Sequence, residues 1–397
     1  YSNYTVCAVI YILPAVYYQR DHNGCSQELN ERETMKKQNA YITVCYICFL
    51  AGGIGLTMTG SLLPNLMAEY QLNYELAGSI LSIRSLGIMA ASFFSGYIAE
   101  KTGKTAAMAL GLFLFGLGSS CLFFTPHIPM LYVSGAVAGI GYGIMNNMAN
   151  SLVNDISNGN SVSINFLHMS YSLGCFLVPV LVQVSFMLYI TWRFPVFIYA
   201  VIVGIILVTI LFSPIRKSAG DESKKQRSDY GFLKNFHYYV LLLTLMMSTG
   251  FQQGITGWLV TYLQDTGTVD AMDAQKLFSF MLLSMLTGRF LSAMLCKKMK
   301  VETLLLICCV IPVITLSGIA VSANQIVLTV LLVLCGTAFA GQYPLVVSCA
   351  KEILFNNPNA SGILFALAGL GGTLVTYLCG WGAEQFGVRA IVIIILL

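Results

Sequence analysis

A chain of 397 residues that is 57% hydrophobic and only 10% charged has too little polar surface for a soluble enzyme. A water-facing domain needs roughly a quarter of its residues charged. The net charge of +4 carries no nucleic-acid signature, because the basic residues sit in short connections between apolar runs.

Those runs, about 19 to 25 residues each, are long enough at 1.5 Å per residue to cross a ~30 Å hydrocarbon layer. In chain order, residues 1–34 hold one short apolar run, Val6–Tyr18, and are expected to be an upstream or non-native extension ahead of Met35. Membrane spans are predicted over 41–66, 75–98, 106–124, 129–152, 162–187 and 193–213. A polar connection, Ser213–Lys234, follows. Further spans are predicted over 238–263, 274–296, 302–322, 325–349 and 359–382, with an incomplete twelfth from 388 onward. The expected organisation is one helical bundle over 35–213, a cytoplasmic linker over 214–234 and a second bundle over 235–397. Twelve cysteines lie mostly inside the spans. Only Cys45-x-x-Cys48 is closely spaced, within an apolar helix, so the thiols are expected to be small packing groups.

Shifting the chain by 197 residues superposes it on itself without a gap. Thr59-Gly60 meets Thr256-Gly257, Lys101 meets Lys298, Gly139 meets Gly336, Asp155 meets Glu352, and Leu173-Gly174 meets Leu370-Gly371. A duplicated six-span unit is how many carriers enclose a site between two rocking halves. If the segment before the first span is cytoplasmic, fifteen Lys and Arg fall on that side and three, Arg193, Lys276 and Arg389, on the other. The positive-inside rule then places both termini and the linker in the cytoplasm.

The connection after the second span reads Gly96-Tyr-Ile-Ala-Glu-Lys-Thr-Gly-Lys-Thr105. It resembles the GxxxDRxGRR signature of the major facilitator superfamily, with Glu100, Lys101 and Lys104 at the charged positions. Gly96 is expected to allow close helix packing, Gly103 a tight turn, and the charges a cytoplasmic latch. Thr249-Gly-Phe-Gln-Gln-Gly-Ile-Thr-Gly-Trp-Leu-Val-Thr-Tyr262, Asn150-Ser-Leu-Val-Asn-Asp155 and Asn165-Phe-Leu-His-Met-Ser-Tyr-Ser-Leu-Gly174 are similar to the fucose permease-like branch of sugar:proton symporters. The resemblance implies an all-α membrane fold of two pseudo-symmetric six-helix bundles and a carbohydrate permease. Where proton-coupled members carry embedded acids, this chain has Gly60 and Asn146, and Gln252 stands where many relatives have Glu.

Polar side chains at membrane depth are costly, so they are expected to face a cavity or a neighbouring helix. In the fourth span Asn146, Asn147, Asn150 and Asn154 follow Gly139 and Gly143 along one stripe. They suit either neutral hydroxyl-rich solutes or interhelical bonding. His168 is the one embedded group that titrates near neutrality, for substrate or proton handling, or else a packed neutral ring. Gln252, Thr256 and Trp258 suit a sugar face, with an interfacial anchor as the alternative for Trp258. Tyr343 is the repeat-mate of Asn146. Arg84 sits about nine residues into its span, roughly 14 Å deep, where a guanidinium costs at least ~2.5–3.5 kcal/mol. It calls for an anionic solute, or for carbonyls of neighbouring spans. Arg289 is expected to snorkel from its helix end. Asp155 and Glu352 are read as gate carboxylates for Lys101 and Lys298.

The expectation is therefore a monomeric transporter of the bacterial inner membrane, needing no cofactor. It would move a sugar, with a co-transported proton left open and an organic anion or a drug as alternative cargo. No Walker motif and no paired catalytic residues at depth are present, which argues against a pump or an intramembrane enzyme.

Overall fold

The computed structural model describes residues 25–124, 127–157, 160–212, 231–296, 298–350, 353 and 358–397. Most of the expected upstream extension and most of the linker fall outside these. The first half holds α1 Cys25–Tyr70, α2 Tyr74–Thr102, α3 Lys104–Cys121, α4 Ile128–Ile156, α5 Ser161–Met187 and α6 Phe194–Phe212. After a 3-10 turn at Gly231–Lys234 come α7 Phe236–Asp265, α8 Ala271–Leu295, α9 Val301–Val321, α10 Gln325–Phe339, α11 Gln342–Cys349, α12 Pro358–Phe386 and α13 Ala390–Leu396. The compact body that holds the spans runs from Tyr41 to Leu397.

Local signals start and stop these helices. Asn73, Asn160, Asn235, Asp270 and Asn324 cap α2, α5, α7, α8 and α10, each accepting a hydrogen bond from an N–H of the first turn. Gly103, at φ 85°, turns the chain between α2 and α3, a conformation open to glycine. Ten described spans are long and apolar enough to cross a membrane, counting α10 and α11 together. Helix α7 is not among them, because Ser248, Thr249, Gln252, Gln253 and Thr256 dilute its apolar content. The predicted span 325–349 is broken at Ala340–Gly341. Pro344 explains the break: it has no N–H, and its ring clashes with the carbonyl of residue 340 in a continuous helix.

The sequence repeat is also a repeat of contacts. A methyl on Gly139 would come within 2.0 Å of the Arg84 carbonyl oxygen, and one on Gly336 within 2.5 Å of Met281 O. Both members of the second pair lie 197 residues beyond the first. Gly60 and Gly257, themselves repeat-mates, meet where α1 crosses α7; a methyl on Gly60 would sit 2.0 Å from Thr256 O. Within the halves, α4 packs on α2 and α3, α7 on α12, and α8 on α10; between them, α2 packs on α12 and α5 on α8. The ten described cysteines are unpaired thiols, with Cys45 and Cys48 fully enclosed.

Candidate functional site

The two bundles are bonded together at the end that carries Tyr74. There the Tyr74 hydroxyl donates to Asp265 Oδ2 at 2.8 Å, and its backbone N–H to Glu384 Oε2 at 3.0 Å. Deeper, enclosed Gln275 exchanges two bonds with Ser61: Ser61 Oγ donates to Oε1, and Nε2 donates to Ser61 O at 2.7 Å. Ser82 Oγ donates to Thr373 O at 2.6 Å, and Gln183 Nε2 to Ser279 Oγ at 3.0 Å. Ser82 and Ser279 are repeat-mates, so a serine stands at the equivalent place in both pairs of helices, as donor in one and acceptor in the other. Toward the Lys104 end, the last described hydrogen bonds between the bundles come from Arg289 Nη1, to His168 O at 2.6 Å and to Ser172 Oγ.

Between that seal and the far end lie the polar side chains expected to serve the solute. Helix α4 turns Tyr142 and Met145 to Gly52 of α1, and Gly139 and Gly143 to α2. Asn146 falls in the sector between those faces and is half-buried, with no side-chain hydrogen bond among the described residues. Asn147 instead ties α4 to α2, donating to Ser95 Oγ at 3.0 Å, and Asn150 donates to Asn146 O at 2.9 Å. Gln252 lies opposite the α12-facing side of α7 marked by Gly250. It is half-buried, between Phe251, whose ring meets Phe339 of α10 at 5.2 Å, and Thr256 at the α1 crossing. The Thr256 hydroxyl is engaged by Gln252 O at 2.6 Å.

His168 sets its ring edge-to-face with Phe49, centroids 5.7 Å apart. Tyr343 is 44% exposed, one residue into α11 beside the helix break. Trp258 is 0% exposed, and its Nε1–H donates to Thr376 O at 3.2 Å. It is packed into the sealed end, with no face open to a solute.

Arg84 is only 5% exposed. Its Nη1 donates to Leu56 O at 3.2 Å and to Thr59 Oγ1 at 2.6 Å, while its buried Nε has no acceptor. Arg289 does not snorkel: it reaches across the seam to α5, with its guanidinium 5.9 Å from the Tyr171 ring. Position along one helix fixes depth but not the neighbour, which is why sequence reasoning missed this arginine.

The charged rim also differs from expectation. Asp155 pairs with Lys104, not with Lys101, and so clamps the start of α3 to the end of α4. Lys101 lies over the Tyr97 ring, Nζ 4.4 Å from its centroid. Glu100 and Lys298 are exposed, and Glu352 lies outside the described residues. A methyl on Gly96 would touch nothing within 4 Å, so Gly96 is not a packing glycine in this conformation.

A family profile for the Major Facilitator Superfamily matches residues 45–376. The chain belongs to the Major Facilitator Superfamily. Among curated superfamily relatives it is similar to the glucose/mannose transporter GlcP of Bacillus subtilis (strain 168), 21% identical over 86% of this chain and 87% of that one. It is also similar to the quinolone resistance protein NorA of Staphylococcus aureus, 26% identical over 53% of this chain and 56% of that one. Solved structures share the superfamily fold. A variant of the nucleoside transporter NupG superposes with TM-score 0.75 at 14% identity, covering 91% of this chain and 96% of that one. The transporter FucP, in its outward conformation, gives 0.63 at 18% identity over 91% and 96%.

Proposed function

We propose that this transporter carries a small hydroxyl-rich solute, best a monosaccharide, by alternating access. One observation carries the reading: each bundle presents a half-buried amide with no side-chain partner among the described residues, Asn146 from α4 and Gln252 from α7. A carboxamide both donates and accepts, which matches a neutral polyol. Tyr343, repeat-mate of Asn146, adds a phenol from the second bundle, and Thr256 frames the α1 crossing. Similarity to GlcP supports a sugar as cargo.

The motion would be rocking of 35–213 against 235–397, with 214–234 as linker. The distribution of basic residues supports a cytoplasmic Lys104 end in a bacterial inner membrane; the bonded Tyr74 end is then the outer gate in its shut state. The Lys104–Asp155 pair, with Glu100, Lys101 and Lys298 around it, forms the charged inner rim. A co-transported proton would use His168, the one described interior imidazole. One chain holds the whole site, so the working unit is a monomer.

The test is uptake of radiolabelled glucose and fucose into proteoliposomes. Accumulation above empty vesicles is expected, with Asn146→Ala and Gln252→Ala each raising KM about tenfold, the worth of one lost hydrogen bond. Absence of sugar uptake, with export of a quinolone in the same vesicles, would replace the sugar reading by drug efflux.

A further inference from the structure

Among the described residues the interior holds two arginines and no acid to match them. Every described Asp and Glu lies in the first or last turn of its helix, at a helix cap, or ahead of Tyr41. Neither Arg84 nor Arg289 is in an ion pair with a described residue. Each is held on one side only. Arg84 Nη1 is fixed by Leu56 O and Thr59 Oγ1, and Arg289 Nη1 by His168 O and Ser172 Oγ. These neutral acceptors orient the guanidinium groups without cancelling their charge.

The remaining N–H groups are free to donate. Arg84 Nε is buried with no acceptor, in a side chain whose exposure is only 5%. Arg84 Nη2, and Nε and Nη2 of Arg289, donate to nothing among the described residues and are not enclosed. A buried donor left empty is expensive, and a buried charge left unpaired more so. Both arginines reach the same stretch of α1: Arg289 lies 5.9 Å from the ring of Tyr171, whose backbone oxygen meets α1 at Gly53, and Arg84 bonds Leu56 O three residues further along. The arginines come from opposite bundles, α2 and α8.

We infer that the solute bears an oxyanion, bound between Arg84 of one bundle and Arg289 of the other. This rests on the sugar-carrier reading and makes the cargo a hydroxyl-rich anion of the sugar-acid kind. The amides of Asn146 and Gln252 take the hydroxyls, and the two guanidinium groups take the charged oxygens. A planar guanidinium fork matches a carboxylate better than an ammonium does. A solute that bridges the bundles also binds best when they are closed around it, which couples occupancy to rocking.

The test is thermal stability of the purified full chain against three probes at matched ionic strength: glucose, glucuronate and cyclohexanecarboxylate. Stabilisation by ligand reports affinity by mass action. Glucuronate is expected to bind at least about tenfold more tightly than either other probe, as one charge-assisted hydrogen bond would give. Arg84→Gln and Arg289→Gln should each bring glucuronate down to the affinity of glucose measured on the same variant, while Arg84→Lys, which keeps the charge, should retain part of the advantage. Glucose binding as tightly as glucuronate overturns the oxyanion site and leaves the sugar carrier standing. Cyclohexanecarboxylate matching glucuronate keeps the oxyanion site and removes the sugar. No stabilisation by any probe overturns both. The comparison of probes on the unmodified chain stands even if a variant fails to fold.

Discussion

Gln275 is the seal whose removal should be easiest to read. It is fully enclosed at the seam, with both ends of its amide bonded to Ser61 of the opposite bundle. Gln275→Ala deletes two buried hydrogen bonds at about 1 kcal/mol each, and the van der Waals attraction forfeited around the void adds to this. A total of about 2–3 kcal/mol against the bonded state moves the equilibrium between the two carrier conformations roughly 30- to 150-fold. Spin labels on unnatural amino acids at Tyr189 and Val321, exposed positions on the two bundles at this end, would report it as a longer distance by pulsed electron resonance. Gln275→Leu is the control, because burying its side chain returns about 1.5–3 kcal/mol to the bonded state and should keep the labels close. If the Ala variant leaves the distance distribution where the unmodified chain has it, the Ser61–Gln275 bonds do not hold the gate.

Three further outcomes are expected. Gly60→Val should open the same end, since a methyl there already lies 2.0 Å from the backbone oxygen of Thr256, an atom that no rotamer change can move; the same label pair checks it. The Lys104–Asp155 pair is exposed on both sides, so Lys104→Ala should cost under ~1 kcal/mol of stability while slowing uptake, and reversing both charges should restore the rate. Trp258→Phe should lower the melting temperature through loss of the bond to Thr376 O, yet change sugar affinity by less than about twofold; an equilibrium binding titration decides.

Span lengths and the shift of 197 residues made the architecture legible, because apolar run length and residue matches at a fixed offset are both read along the chain without knowing which helices touch. Gly139 and Gly336 are visible in the sequence as repeat-mates, and the fold then places them on Arg84 and Met281. The site was legible only by residue type. The asparagine stripe was evident, but the assignment of Asn147 to Ser95 and of Asn146 to the interior depends on how α4 is rotated against α2, which no single-helix pattern specifies. Trp258 and Arg289 misled for the same reason: one turned inward to a carbonyl, the other reached a different bundle. The break in the span at 325–349 had its signal in Pro344, and length counting passed over it.

The two halves of the seam are pseudo-equivalent in place but not in chemistry. Under the 197-residue shift Gly78 maps to Gln275 and Gln183 to Gly380. Where α2 meets α12, Gly78 and Gly380 bring backbones together, a methyl on Gly78 falling 2.9 Å from Gly380 Cα. On the other side, Gln275 of α8 bonds across to Ser61 of α1, and Gln183 of α5 to Ser279 of α8. A backbone contact without side chains exposes little apolar surface when it parts, and an amide that parts exchanges its partner for water at small net cost. Both halves are thus built to separate without the large penalty that a leucine-filled interface would impose. A carrier must visit both states within one cycle, which requires them to differ by only a few kcal/mol. Divergence of the repeat at these four positions therefore follows from the need for a seam that closes well enough to exclude water and still opens.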